Sequence, residues 1–341
     1  MILTLIKTTQ SLTLTGTRYF FWFFSFFLLV SCSSLRSEVF EYDLSPDNDI
    51  EKNINITLLG SIGMKSSRFN NLPVTELSGI AWDNDEKLLY AVSDEGLLYH
   101  LRLTIKNNHL EDMKVIYATR LKNKASENLK GKYSDAEGLA LTGGNNGKKG
   151  DSELIISFEN KPRIARYTTR GKFVKNVHLP KKLRKRKNYR HKNKGLESVT
   201  EHPTYGTLTA AEFPLRENKI KFQTVYSSTG KKWNFPASGP KKSAITGLET
   251  LPNGDLLVLE RSWVNAFTPI TINLRQLQLD KCNHKNYCQT KTIASLSGAE
   301  GWYLDNFEGL AHYKNNQYLM MSDDNNNSLQ NTVLVLFEIK S

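Results

Sequence analysis

Five short stretches share one pattern: Leu77-Ser78-Gly79-Ile80, Ala136-Glu137-Gly138-Leu139, Leu196-Glu197-Ser198-Val199, Leu248-Glu249-Thr250-Leu251 and Phe307-Glu308-Gly309-Leu310. An apolar run follows each of them and ends in an acidic or polar tip. The tips are Ser93-Asp94-Glu95, Phe158-Glu159-Asn160, Ala211-Glu212-Phe213, Glu260-Arg261 and Ser322-Asp323-Asp324. Taken from Ser78 through Glu137, Glu197, Glu249 and Glu308, the steps are 59, 60, 52 and 59 residues. A period of this size, built from strand-like pieces, predicts a radial array of small sheets.

The first repeat shows how one unit reads. Ser78 to Trp82 is an extended apolar piece, and Asn84-Asp85 turns the chain. Leu88 to Val92, Leu97 to Leu103 and Met113 to Thr119 supply three more strands, separated by Asp94-Glu95-Gly96 and Lys106-Asn107-Asn108. Four antiparallel strands with tight turns make one propeller blade. The fold class expected is therefore all-β, a β-propeller with five four-stranded repeats. A degenerate sixth blade would have to lie in Trp263 to Glu300. The last repeat has three obvious strands, and Asn55 to Ile62 is expected to supply the fourth. Such closure removes exposed sheet edges.

The ends of the chain read differently. Arg18 precedes an apolar run, Tyr19 to Val30, shorter than the roughly 20 residues a membrane-spanning helix needs. Its length suits a signal-peptide core. It ends in Leu29-Val30-Ser31-Cys32, which resembles a bacterial lipobox, with Cys32 as the lipidated residue. The expected organisation is a signal peptide over 1–31, a flexible polar tether over 32–53 and a propeller over 54–341. Ser33 after the Cys resembles lipoproteins sent to the outer membrane, facing the periplasm or the cell surface. Export makes Cys282 and Cys288 a disulfide pair. His284 between them adds too few ligands for a metal site.

The net charge is +12, and nine cations crowd into residues 181–194. Outside that run the mature chain is almost neutral. Such a run alone would suggest nucleic acid, but export argues against it. A solvated loop, anionic headgroups beside a membrane anchor or a phosphorylated small molecule are the remaining readings. A monomer is expected.

In a propeller the first strand of each blade is innermost, so the repeated acids converge. Glu137, Glu197, Glu249 and Glu308 are expected to ring one channel mouth as catalytic groups. Asp323, Asp324, Glu159 and Glu212 are expected beside them as metal ligands. So many carboxylates cannot all ionise without compensation. An oxygen-rich set of this kind suits a hard cation, Ca²⁺ before Mg²⁺. Arg261 and Lys161, each beside a tip acid, would pair with acids or bind an anionic group of a substrate. A repeated acid also commonly docks one blade on the next, which is the competing structural role. There is no nucleophile elbow, zinc-protease helix, P-loop or dinucleotide fingerprint.

Glu137-Gly138-Leu139, Gly195-Leu196-Glu197-Ser198, Gly247-Leu248-Glu249 and Asn306-Phe307-Glu308-Gly309-Leu310, followed by Met320-Met321-Ser322-Asp323-Asp324-Asn325, resemble the phytase-like esterase family of exported bacterial propellers. The similarity covers about residues 70 to 339. It implies a propeller with esterase-like or phytase-like activity and an acidic, Ca²⁺-dependent mouth. The related β-propeller phytases carry Asp-Ala-x-Asp-Asp-Pro-Ala, and Asp135-Ala136-Glu137-Gly138-Leu139 matches only its start. The function expected is metal-assisted hydrolysis of an ester or phosphoester. The alternative is a non-catalytic envelope lipoprotein that binds a ligand or partner at the same mouth.

Overall fold

In the computed structural model, residues 39–46, 54–191, 194–239, 243–263, 268–327 and 330–340 are described. The apolar runs of the sequence are strands throughout, and the described residues contain no α-helix. Cys32, the signal segment, most of the tether, Lys192 and Ser328-Leu329 lie outside the described residues.

The chain opens with β1 (Val39–Glu41) and β2 (Ile56–Met64), then a hairpin of β3 (Ser67–Phe69) and β4 (Leu72–Val74). Blade 1 is β5 (Leu77–Asp83), β6 (Leu88–Ser93), β7 (Leu97–Lys106) and β8 (His109–Arg120). Blade 2 is β9 (Ala136–Thr142), β10 (Glu153–Phe158), β11 (Arg163–Thr168) and β12 (Phe173–Val177). Blade 3 is β13 (Leu196–His202), β14 (Gly206–Ala211), β15 (Phe222–Ser227) and β16 (Lys232–Pro236). Blade 4 is β17 (Ser243–Thr250), β18 (Leu256–Ser262), β19 (Thr271–Cys282) and β20 (Cys288–Ser297). Each is a four-stranded sheet in which neighbours in sequence pair antiparallel. Blade 5 is β21 (Asn306–Lys314), β22 (Gln317–Asp323) and β23 (Thr332–Ile339), and its outer strands are β2 and β1.

Two expectations change here. Residues 271–297 complete the fourth blade, so the described residues form five blades and no sixth. Val39–Glu41, assigned by the sequence to a flexible tether, is a fifth strand on blade 5, pairing Val39 with Met64 and Glu41 with Ile62. The expected closure does occur: β2 pairs along β23 from Ile56↔Ile339 to Met64↔Thr332. The Cys282–Cys288 disulfide closes the turn between β19 and β20.

Strand alternation explains how the blades hold together. Side chains two apart share a face. Along β6, Leu89 and Ala91 pack toward blade 5, while Tyr90 and Val92 pack toward blade 2. The buried apolar residues fall into five clusters, one between each pair of neighbouring blades. Their closed succession is what makes a ring of five.

The inner strands meet at the axis. An added Cβ on Gly79 would lie 2.3 Å from Glu137 O, and one on Gly138 would lie 2.8 Å from both Glu197 O and Ser198 Cα. Inner-strand backbones therefore touch where the repeat has its small third residue. Ile80, Leu139, Val199, Leu248 and Leu310 follow in the next place and fill the axis. Only a cavity of about 10 Å³ remains among them, room for about one water. The two ends of the axis are separate sites, not one open channel. Gly79→Ala is expected to destabilise the protein by roughly 1–3 kcal/mol, the usual cost of overpacking. Urea unfolding measures this directly.

Candidate functional site

The sheet register shows how the acids reach the mouth. In every blade the pairing of the first two strands slips at the second residue of the repeat, between Leu77/Gly79, Leu196/Ser198, Ile245/Gly247 and Phe307/Gly309, with the matching slip at Ile156/Phe158 in blade 2. A β-bulge leaves one residue unpaired and re-aims its side chain. The bulged residues are Ser78, Glu137, Glu197, Thr246 and Glu308. The fourth repeat is thus Ile245-Thr246-Gly247-Leu248, three residues earlier than the sequence pattern placed it.

Glu249 consequently leaves the ring. It lies at the opposite end of the axis, in a pocket with Trp82, Thr200, Glu201 and His312. Burial pushes its carboxyl up to about 8, partly offset by the backbone N–H groups of His312 and Thr250. The misreading arose because Leu248-Glu249 imitates Leu196-Glu197. The shared glycine, Gly247 with Gly79, Gly138 and Gly309, is the signal that fixes the frame.

The tips form a second ring in the same register. Ser93, Phe158, Ala211, Glu260 and Ser322 face the residue before each bulge. The residues after them are Asp94, Glu159, Glu212, Arg261 and Asp323. Blade 4 therefore supplies Thr246 and Arg261 where the other blades supply acids or Ser78. Glu260 is not part of the mouth. It is fully buried and pairs with Arg275 at 2.8 Å.

Glu137, Glu197 and Glu308 each place a carboxylate oxygen within 4.8 Å of the other two. Two further trios at that spacing, Asp135-Glu137-Glu159 and Glu159-Glu197-Glu212, overlap the first. Glu137, Glu197 and Glu308 are 7%, 6% and 8% exposed. Glu137 and Glu197 accept no hydrogen bond from any described residue.

The other acids have partners. Arg261 donates to Glu308 Oε1 at 2.9 Å and Glu212 Oε1 at 3.3 Å, bridging blades 5 and 3. Lys194 Nζ stands 2.9 Å from both carboxylate oxygens of Glu212. Asn306 Nδ2 donates to Glu308 Oε1 at 2.9 Å. Glu159 accepts the N–H of Gly195 at 3.0 Å, and Asp94 accepts Ser78 Oγ at 2.5 Å. Lys194 is a site residue that the sequence hides inside the basic run.

Two other candidates are placed elsewhere. Asp324 is fully buried and accepts from Thr75 Oγ1 at 2.6 Å, Glu76 N at 2.8 Å, Ser66 Oγ at 2.9 Å and Asn326 N at 3.1 Å. It pins the link between blades 5 and 1 and has little capacity left for an ion. Lys161 is exposed, with Nζ 5.8 Å from the Tyr133 ring, on the outer rim.

Crowding sets the protonation of the mouth. Burial, then neighbouring carboxylates, hold Glu137 and Glu197 well above the ordinary range. Burial pushes Asp323 to about 9, with Glu308 and Asp94 adding to it. Glu159 is pushed to about 8 by burial, against the Gly195 N–H. Asp94 is pushed to about 7 by burial, against its bond from Ser78. Glu212 is raised by burial but restrained by Lys194 and Arg261.

The fold and site define an acidic-mouthed five-bladed propeller. The chain belongs to the phytase-like family described as "Esterase-like activity of phytase", whose sequence profile matches residues 72–326. Among curated proteins, none matches. A solved structure described as "Structure of Dos1 propeller" is similar at 11% identity and TM-score 0.35, over 82% of this chain and 74% of that one.

Two outcomes follow from these charges. Arg261, with a side chain 13% exposed, bridges two buried carboxylates. Arg261→Met should lower stability by about 3–5 kcal/mol, the usual cost of orphaning a buried charge, in chemical denaturation at pH 7. The raised acids hold protons in the folded chain that the unfolded chain releases near pH 4. Cation-free stability is therefore fully present below about pH 4 as far as these groups are concerned. It falls as pH rises toward 9, by about 1.4 kcal/mol per pH unit for each proton held only in the folded state. Melting curves across pH 5 to 9 in chelator test the sign.

Proposed function

We propose that this protein is an exported, lipid-anchored hydrolase of esters or phosphate esters, whose acidic mouth holds a divalent cation, Ca²⁺ by preference. The observation that carries the reading is the trio Glu137, Glu197 and Glu308, with carboxylate oxygens within 4.8 Å of one another and two of the three carboxylates lacking a described partner. Ca²⁺ takes oxygen ligands at about 2.3–2.6 Å, whereas Mg²⁺ needs about 2.0–2.1 Å. A carboxylate-rich set without dedicated octahedral geometry suits the larger, more flexibly coordinated ion. The donor set is all oxygen, and bringing these acids together unpaired is costly unless a cation or protons compensate. When bound, such a cation supplies positive charge that polarises an ester or phosphoryl oxygen.

The chain's own residues divide the remaining work. Asp94, held by Ser78 at the edge of the mouth, is placed to take a proton from an attacking water. Asp323, buried in the same ring, is the group whose burial favours its protonated form and the one to deliver a proton to a leaving oxygen. Arg261 and Lys194 hold Glu212 and Glu308 in place and moderate the negative field that an anionic substrate meets. Lys161 serves at most in the outer approach. Membership of a family described by esterase-like activity supports the hydrolytic reading. Arg18, the Tyr19 to Val30 run, Leu29-Val30-Ser31-Cys32 and the Cys282–Cys288 disulfide support export and lipidation at Cys32.

Metal analysis of the purified mature chain, Ca²⁺ titration and a panel of phosphate and carboxylate esters test the proposal. Turnover that needs Ca²⁺ and falls roughly 10²-fold or more in Glu137→Gln is the expected result. Because Glu137 has no described partner, that variant should also melt higher than the parent in chelator. It should gain little on adding Ca²⁺. Ca²⁺ stabilisation without turnover would leave a binding lipoprotein. Identical behaviour of parent and Glu137→Gln in chelator and in Ca²⁺ would leave the acids a purely structural role.

A further inference from the structure

The topology sorts the connections between strands onto two faces. Links from the outer strand of one blade to the inner strand of the next share the mouth face with the turns between second and third strands. The remaining turns lie on the opposite face. Among the described residues, four of the six large apolar side chains that stand exposed are on mouth-face connections: Tyr133 at 49%, Ile220 at 57%, Trp263 at 50% and Tyr303 at 56%.

The basic run lies on that face too. Residues 178–195 link β12 to β13. Leu179, Leu183 and Tyr189 are buried beneath it, and Tyr189 Oη donates to Leu183 O at 2.6 Å. Arg190 Nε donates to Pro214 O at 2.9 Å. The described part of the loop, residues 178–191, is therefore tied down, and it holds Lys181, Arg184, Lys185 and Lys187 exposed. Lys130 and Lys132 beside Tyr133, and Lys219 and Lys221 beside Ile220, are exposed as well. The acids of the mouth are recessed behind this rim.

The described chain also begins there. Val39 pairs with Met64, the last residue before the link to blade 1. Leu44 O accepts the N–H of Tyr303 at 3.2 Å, on the link between blades 4 and 5. Cys32 is seven positions before Val39, at most about 25 Å of extended chain.

We infer that the mouth face is a membrane-docking surface for an anionic phospholipid bilayer, with the acidic mouth opening onto the headgroup layer. Exposed Trp and Tyr favour the bilayer interface. Clustered Lys and Arg bind its negative surface potential over a Debye length. A lipid anchor paired with a basic patch holds a protein more firmly than one anchor alone. The inference rests on the proposed lipidation for its orientation, and the basic rim and aromatics carry it independently.

The test uses the unlipidated domain from Leu35 to Ser341. Ring closure within residues 39–340 makes this a folding unit of its own. It should sediment with phosphatidylcholine vesicles containing phosphatidylglycerol, at least tenfold more than with pure phosphatidylcholine, and release as salt rises. Lys181→Glu/Arg184→Glu/Lys185→Glu/Lys187→Glu should abolish binding with an unchanged melting temperature. Lys148→Glu/Lys149→Glu, on the opposite face, should bind as the parent does. Brominated lipid should quench emission that Trp263→Phe removes. No preference for anionic vesicles, loss only in the Lys148/Lys149 variant, or binding to soluble polyphosphate but not to vesicles would overturn the inference. Mass analysis of the mature chain reads lipidation at Cys32 separately, so either reading can fail alone.

Discussion

Everything in this propeller answers to the crowding of five inner strands around one axis. The backbones come so close that the third residue of the repeat has room for almost no side chain. A Cβ on Gly309 would lie 2.9 Å from Ile80 Cγ1, and one on Gly247 would lie 2.9 Å from Leu310 Cβ. The following residue is apolar and seals the centre. The preceding one is displaced by a bulge and turned to the mouth. Packing at the axis and acidity at the mouth are thus consequences of the same four residues.

That arrangement stores repulsion. Glu137, Glu197 and Glu308 from the inner ring join Asp94, Glu159, Glu212 and Asp323 from the tips and Asp135 beside them, against Arg261 and Lys194. The fourth blade relieves part of it by placing Thr246 where three other blades have Glu, and Arg261 where the other four have an acid. Thr246 donates to Phe307 O at 2.9 Å, so the neutral residue ties blade 4 to blade 5. Arg261 ties blade 3 to blade 5 across it. The departure from repeat symmetry stabilises the ring, and the positive charge of Arg261 and Lys194 reaches Glu197 as well, while Glu137 has no ion-pair partner among the described residues. A protein that needed only mechanical closure could have replaced those two with Thr246-like residues. Acids so placed need protons or the cation proposed above to offset their mutual repulsion.

Much of the fold was legible because strand alternation and turn chemistry are local. The recurrence of Leu77-Ser78-Gly79-Ile80 and its counterparts gave the blades, and the orphan strand at Asn55 gave the closure. Blade number was harder. β19 and β20 are long, at 12 and 10 residues, and look like extra material until their pairing is known. The site was legible in part. Glu137, Glu197 and Glu308 were visible as a repeat, but Glu249 was not separable from them without the register. Asp324 differs from Asp323 by one place in a strand end, which turns its carboxylate to the backbone of the neighbouring link instead of the mouth. Lys194 was masked by eight other cations in the same run.

The charge distribution then acquires a direction. A net charge of +12 averages over two opposite fields: a recessed negative centre and an exposed positive border on the same face. The centre is recessed, so it is met at contact only by a group that has entered the mouth. The border is exposed and acts over roughly a Debye length, about 8–10 Å at ordinary salt. In the docking proposed above, an anionic surface would be drawn to the face by the border before it meets the acids. Attraction at the rim and selectivity at the centre are consequently separate tasks, assigned by the fold to different connections of the same blades.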